Sequence, residues 1–202
     1  MTRVLLTAFE PYEHWQENAS WTLVERLTLD LPAEPQITTR RYPVDFTKLP
    51  DCLAADLSEQ YDAILLLGQA PTRSSLDLEA IGLNVALSHE SPPEDALALV
   101  EDGPAAYRSA LPLQQWARSL REMGVPARVS FHAGTYLCNA ALYLTHYLLQ
   151  QRSLPARAAF IHVPLDPRQA AGDANPGPSL PIEISTLAVR WMLDQLVDRS
   201  VV

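Results

Sequence analysis

Two thiols and five imidazoles are the groups in this 202-residue chain best suited to nucleophilic or acid–base work near neutral pH. Cys138 stands in "AGTYLCNAALYLTHYLL", residues 133 to 149, where a strand-like segment gives way to a helical one. A thiol in the first turn of a helix faces unpaired backbone N–H groups and the positive end of the dipole, and both favour the thiolate. Free cysteines are also common as small, inert core residues, so position alone leaves both readings open. A nucleophilic role needs a base and an acid to orient that base.

Five histidines are candidates for the base: His14, His89, His132, His146 and His162. His146 lies on the same helical segment as Cys138, about 12 Å away at 1.5 Å of rise per residue, and is out of reach. His132 ends the preceding strand-like run and stays in play. His162 interrupts "AAFIHVPL" just before Pro164 stops that run. A polar residue at the end of a buried strand points towards a site mouth. A core imidazole bonded to a backbone carbonyl fits the same position. For the acid, Glu79 sits in "SLDLEAIGLNVAL", where period-two alternation puts Asp77 and Glu79 on one face. Asp77 is expected to be the solvated neighbour and Glu79 the buried member, with a structural ion pair as the alternative use.

Other chemistries find little support. "GQAPTRS" matches neither a dinucleotide fingerprint nor a phosphate loop, and there is no GxSxG elbow and no HExxH pair. Two cysteines without a CxxC spacing argue against a zinc ribbon or a disulfide framework. No metal and no cofactor is therefore expected. A net charge of -9 with no basic stripe argues against a nucleic-acid partner. Hydrophobic residues are 48% and charged ones 19%, the balance of a globular domain rather than a disordered chain. The opening "MTRVLLTAFEPYEHW" is too short an apolar run for a signal segment or a membrane span. A cytoplasmic location is expected, so the "NAS" sequon at Asn18 carries no glycan message.

These side chains must be held by alternating elements. Strand-like runs occupy 3–9, 37–44, 62–68, 76–87, 126–133 and 158–165. Helix-period segments lie at 20–31, 45–61, 111–124, 138–152 and 181–198. Strands separated by helices imply an α/β domain: three layers, a mostly parallel twisted sheet with helices on both faces, spanning residues 1–202 as one unit. The Pro-rich stretches 88–104 and 164–181 are expected to be long loops, and the site is expected at the carboxyl ends of the strands.

"AGTYLCN" followed by "FIHVP" resembles the pyroglutamyl peptidase I family of cysteine peptidases, which remove amino-terminal pyroglutamate. The likeness runs nearly end to end, through "VLLTAFEPY", "LLGQAPTRSSLDLEAIGLN", "EDGPAAYRSALP" and "REMGVPARVS". The resemblance implies Cys138 as nucleophile, His162 as base and Glu79 as the acid orienting it. It implies Phe9 and Tyr12 as walls of the pyroglutamyl pocket, Tyr12 standing where many relatives have Phe. It places Gln69 where the family's backbone contacts the lactam, and Arg73 beside the active site. It also implies a single α/β domain, assembly as a homotetramer, and peptides with amino-terminal pyroglutamate as substrates.

Two segments depart from the family pattern. The usual glycine-bearing "GFEPFGG" type of first loop reads "AFEPYEHWQENAS" here, with His14 and Trp15 in place of small residues. Residues 10 to 19 are expected to move without ligand and to close over the substrate ring. After Asn84, where relatives show an Asp–Ala–Arg–Ile–Pro–Asp–Asn pattern, this chain has Leu87 and His89 in place of the Asp and Arg. Two other classes share the residues. One is a cysteine-dependent amidase or glutaminase, and the other is an inactive binding module on the same fold.

Overall fold

The computed structural model describes residues 1–88 and 91–197. The two runs with continuous apolar character become the middle of a six-stranded sheet: β3 (Ala63–Gln69) and β8 (Arg157–Val163). They pair in parallel over seven residues and are buried on both sides, apart from Arg157, as expected of central strands. Outward from β3 lie β1 (Arg3–Phe9) and the edge strand β2 (Gln36–Tyr42), both parallel to it. Outward from β8 lie β4 (Leu76–Glu79) and the edge strand β7 (Ala127–Ser130). These two are parallel to one another, but β4 is antiparallel to β8, so the sheet is mixed on that side.

Helices cover both faces. α1 (Ala19–Thr28), α3 (Leu113–Glu122) and α6 (Ile182–Val197) bury Leu23, Trp116, Met192 and their neighbours against one face. α2 (Leu49–Asp56) and the long α4 (Leu137–Gln151) pack on the other with Leu53, Leu142 and Phe160. The three-layer α/β architecture is thus as expected, and the differences are local. α1 starts one residue before Ser20, because Asn18 supplies the cap and its side chain accepts from the Ser20 N–H. α2 is shorter than its helical pattern: Asp45 bonds the Thr47 N–H in a turn, and Pro50 occupies the first helical turn.

The expected strand 76–87 is two strands. β4 stops at Glu79, and β5 (Ile81–Leu83) leaves the main sheet to pair with β6 (Ala106–Arg108), a strand too short to show in the sequence pattern. The pair lies on α4 so closely that a Cβ on Gly82 would stand 2.8 Å from the Tyr143 backbone nitrogen. The loop 164–181 contains α5 (Pro167–Gly172), opened by a capping box between Asp166 and Gln169. His89 lies outside the described residues.

Candidate active site

The pairing of β1 with β3 runs only from Val4 opposite Ala63 to Thr7 opposite Leu66. Beyond it the strands part, β1 staying with β2 as far as Phe9 and β3 with β8 as far as Gln69. The opening at these carboxyl ends is a cavity of about 350 Å³. Phe9, Tyr12, Gln69, Arg73, Cys138 and His162 all line it, so six of the seven residues singled out meet in one place. The seventh, Glu79, is fully buried and lies behind His162.

His162 Nδ1 lies 2.8 Å from Glu79 Oε1. A carboxylate only accepts, so Nδ1 carries the proton and Nε2 is left for the cavity side. Burial by itself would lower the imidazole's pKa; the Cys138 sulfur beside it and Glu79 outweigh this and raise it above its ordinary value. The arrangement therefore favours an imidazolium next to the sulfur. Glu79 Oε2 has no hydrogen-bond partner among the described residues.

Cys138 is the second residue of α4. Gly134, at φ +81°, turns the chain out of the β7 segment and into this helix. Tyr136, the N-cap residue, makes no side-chain cap bond, so the first-turn N–H groups are not closed off by a capping side chain. The sulfur rests over Gly68 of β3, where a Cβ would stand 2.9 Å from Sγ and 2.5 Å from Phe160 Cζ. Gly68 is aligned with His162 across the β3–β8 ladder, and the space left by its missing side chain is taken by the Cys138 sulfur and the Phe160 ring.

Asp77 overturns its expectation. It is fully buried rather than solvated, held by Arg128 through two bonds of 2.7 and 2.8 Å, with Arg73 Nε at 3.2 Å. Burial would raise its pKa, but the Arg128 and Arg73 guanidinium groups together hold the carboxyl below its usual range. In register, Asp77 sits opposite His162 on one side and Arg128 on the other. Arg73 thus reaches the cavity as one arm of an ion cluster built on the buried Asp77.

Among the other candidates, His132 is exposed at the rim, and its Nδ1 accepts the Gly134 N–H. His146 stacks on Tyr107 at 5.9 Å, away from the cavity lining. The first loop is tied at its ends: Asn18 Nδ2 donates to the Glu10 carbonyl, and the Ala19 N–H donates to Gln69 Oε1. Glu13 there takes φ 52°, a left-handed conformation more natural to glycine. Burial, with Cys138 adding to it, pushes the Tyr12 phenol well above its usual range, while Gln69 acts the other way.

Three positioning residues escaped the sequence reading: Gly68, Asp77 as a buried ion, and Asn139. Asn139 is fully buried on α4 and bonds Leu83 N, Leu83 O and Val85 O at 2.8–2.9 Å, which fixes β5 to the first turns of the helix. An Asn one residue after a candidate nucleophile is the only local signal of that role.

The pyroglutamyl peptidase family profile matches residues 2–198. The chain is 37% identical over 198 residues to a pyrrolidone-carboxylate peptidase of Cupriavidus taiwanensis, covering 94% of this chain and 90% of that one. It is 35% identical to pyrrolidone-carboxylate peptidase 1 of Photorhabdus laumondii, covering 99% and 95%. Among solved structures, the pyrrolidone carboxyl peptidase of Fervidobacterium islandicum superposes with a TM-score of 0.92 at 29% identity, over 98% of this chain and 99% of that one. A mutant pyrrolidone carboxyl peptidase from Pyrococcus furiosus gives 0.90 at 30% identity over the same shares. A profile match across almost the whole length, with relatives of this similarity and coverage, means that the chain belongs to the pyroglutamyl peptidase family.

Proposed function

We propose that this chain hydrolyses the bond after an amino-terminal pyroglutamyl residue through a thioester, with Cys138 as nucleophile, His162 as base and Glu79 as the acid that orients it. The observation that carries the reading is the 2.8 Å His162–Glu79 bond, with the Cys138 sulfur on the other side of the imidazole at the cavity wall. The thiolate attacks the carbonyl joining pyroglutamate to the next residue. First-turn N–H groups of α4, with Arg73 near, stabilise the oxyanion. The His162 imidazolium gives its proton to the leaving amine as the C–N bond breaks and the thioester remains. Neutral His162 then takes a proton from water, whose oxygen attacks the thioester and releases pyroglutamate and the thiol. Glu79 keeps the Nδ1–H tautomer throughout and favours the cation.

The pocket selects the ring. Phe9 is buried at the end of β1, 6.4 Å from Phe160 between ring centroids, and with Tyr12 it walls the space for the ring methylenes. The end of β3 near Gln69, unpaired on its β1 side, supplies backbone groups for the lactam edge. Amino-terminal Gln or Glu would bring an ammonium into this largely apolar space, at a cost of several kcal/mol unless it is paired. Proline lacks the ring carbonyl and leaves a donor unmatched, worth about 1–3 kcal/mol.

Hydrolysis of a chromogenic pyroglutamyl amide, with and without a thiol blocker, tests the reading. Cys138→Ala should be silent and Cys52→Ala should keep most of the activity; the reverse pattern overturns it. Turnover of free glutamine in place of the pyroglutamyl amide would make the chain an amidase instead. The same reading includes one domain over residues 1–202 carrying the whole activity and a homotetramer, both supported by the family resemblance, in the cytoplasm. Light scattering gives the subunit number directly.

A further inference from the structure

Gln169, on α5 in the second long loop, bonds three separate segments through one side chain, and one of them, Gln69, lines the cavity. Its Oε1 accepts the Asp166 N–H at 3.0 Å, completing the capping box of its own helix. Its Nε2 donates to the Glu17 carbonyl of the first loop at 3.1 Å and to Gln69 Oε1 at 3.0 Å. Gln69 Oε1 also takes the Ala19 N–H at 2.8 Å, so both of its lone pairs are used by the protein. The amide of Gln69 is thereby held in one orientation, and its buried Nε2 has no hydrogen-bond partner among the described residues. Gln69 lines the cavity, near enough to Tyr12 to act on its phenol.

We propose that Gln169 is a positioning residue for the pyroglutamyl pocket: its two amide protons lock the Gln69 side chain and the end of the first loop into one wall. The inference rests on the proposed pyroglutamyl peptidase reading. Without Gln169, Gln69 Oε1 keeps only Ala19 as a donor, its amide can turn over, and the loop end at Glu17 loses its cross-tie. The ring then meets a wall that must be ordered on binding. The effect falls on KM rather than on the thiol chemistry, because no bond of Gln169 reaches Cys138 or His162.

Two variants separate this role from helix capping. Gln169→Glu keeps an acceptor for the Asp166 N–H and loses both donors. Gln169→Met is of similar length, uncharged, and loses all three bonds. With both, KM for a pyroglutamyl amide should rise about tenfold, the worth of one or two hydrogen bonds, with kcat within about twofold. The rate of Cys138 alkylation by iodoacetamide should stay unchanged. Hydrogen exchange at the Ala19 N–H should quicken in both variants, since its acceptor is no longer held. Unchanged KM in an active protein overturns the proposal. So does a loss of kcat and alkylation together, which would make Gln169 a general structural residue. If the unaltered chain does not cleave pyroglutamyl amides, the functional reading fails by itself. Ala19 exchange then still decides the clamp: faster exchange supports it and unchanged exchange overturns it.

Discussion

Gly68→Ala places one methyl group where the structure leaves room for the Cys138 sulfur. The added Cβ would stand 2.9 Å from Cys138 Sγ and 2.5 Å from Phe160 Cζ. Ordinary non-bonded contacts begin at about 3.5 Å, so the sulfur must retreat by about 0.6 Å and the ring by about 1 Å. The ring has no free space to take: Phe160 is fully buried on a central strand, with Phe9 and His162 packed on it. Overpacking of this kind costs about 1–3 kcal/mol of stability. The larger effect is on geometry, since a nucleophile displaced by this order loses up to about 100-fold in rate. We expect kcat on a pyroglutamyl amide to fall about 10- to 100-fold, with a smaller rise in KM because the displaced Phe160 ring also presses on Phe9 of the ring pocket. Paired steady-state kinetics and thermal melts check this. A Gly68→Ala protein with kcat within twofold of the parent would refute the idea that this glycine seats the thiol.

Other outcomes follow from the same geometry. His162→Ala should be as damaging as Cys138→Ala, since groups acting as a unit are not additive, while Glu79→Gln should be milder because it disturbs orientation alone; ranking kcat/KM for the three checks both statements. Arg128→Met should lower stability by about 2–3 kcal/mol in chemical denaturation: Asp77 is buried, but Arg73 remains and Arg128 is half-exposed, so the loss falls short of a full buried-pair break. His146 is half-buried against Tyr107, and the desolvation of its ring pushes its pKa down to about 4. An unfolded imidazole protonates below about 6.5 and this one only near 4, so the unfolded chain takes up more protons between them. Stability therefore falls as pH drops from 6.5 to 4, by up to about 3 kcal/mol, and is level on this account above 6.5. Denaturant midpoints at pH 7 and pH 5, in the parent and in His146→Leu, isolate that limb.

The catalytic candidates were legible because each stands at a local discontinuity. Cys138 begins a helix, His162 breaks an apolar run, and Glu79 is an acid in an apolar segment. Their convergence could be inferred from the resemblance, but their geometry depends on strand order. β4 runs against β8, which no local pattern reveals. Asp77 was misread for the same reason. Alternation put it on the right face, but its burial depends on Arg128, 51 residues away on a neighbouring strand. Gly68 and Gln169 carry no local signal: one matters by what it lacks beneath α4, the other by reaching a loop and a strand end distant in sequence. The break after Glu79 was missed because residues 76–87 stay apolar across the point where the chain changes sheets.

The Asp77–Arg128 pair has a consequence for how the strands find their alignment. The alternation of leucine and acid along β4 penalises a one-step slip, which would turn its acids out of the site face. A two-step slip keeps every side chain on its proper face, and hydrophobicity alone does not forbid it. Such a slip would bring Glu79 to where Asp77 now stands, opposite His162 and Arg128, and carry the remaining acid out of range. The fixed length of the Asp77 side chain, caught between Arg128 and Arg73, makes the misaligned state electrostatically poor. The ion cluster thus acts as a notch: it selects one alignment among those that apolar packing would tolerate, and so determines which carboxylate the histidine receives.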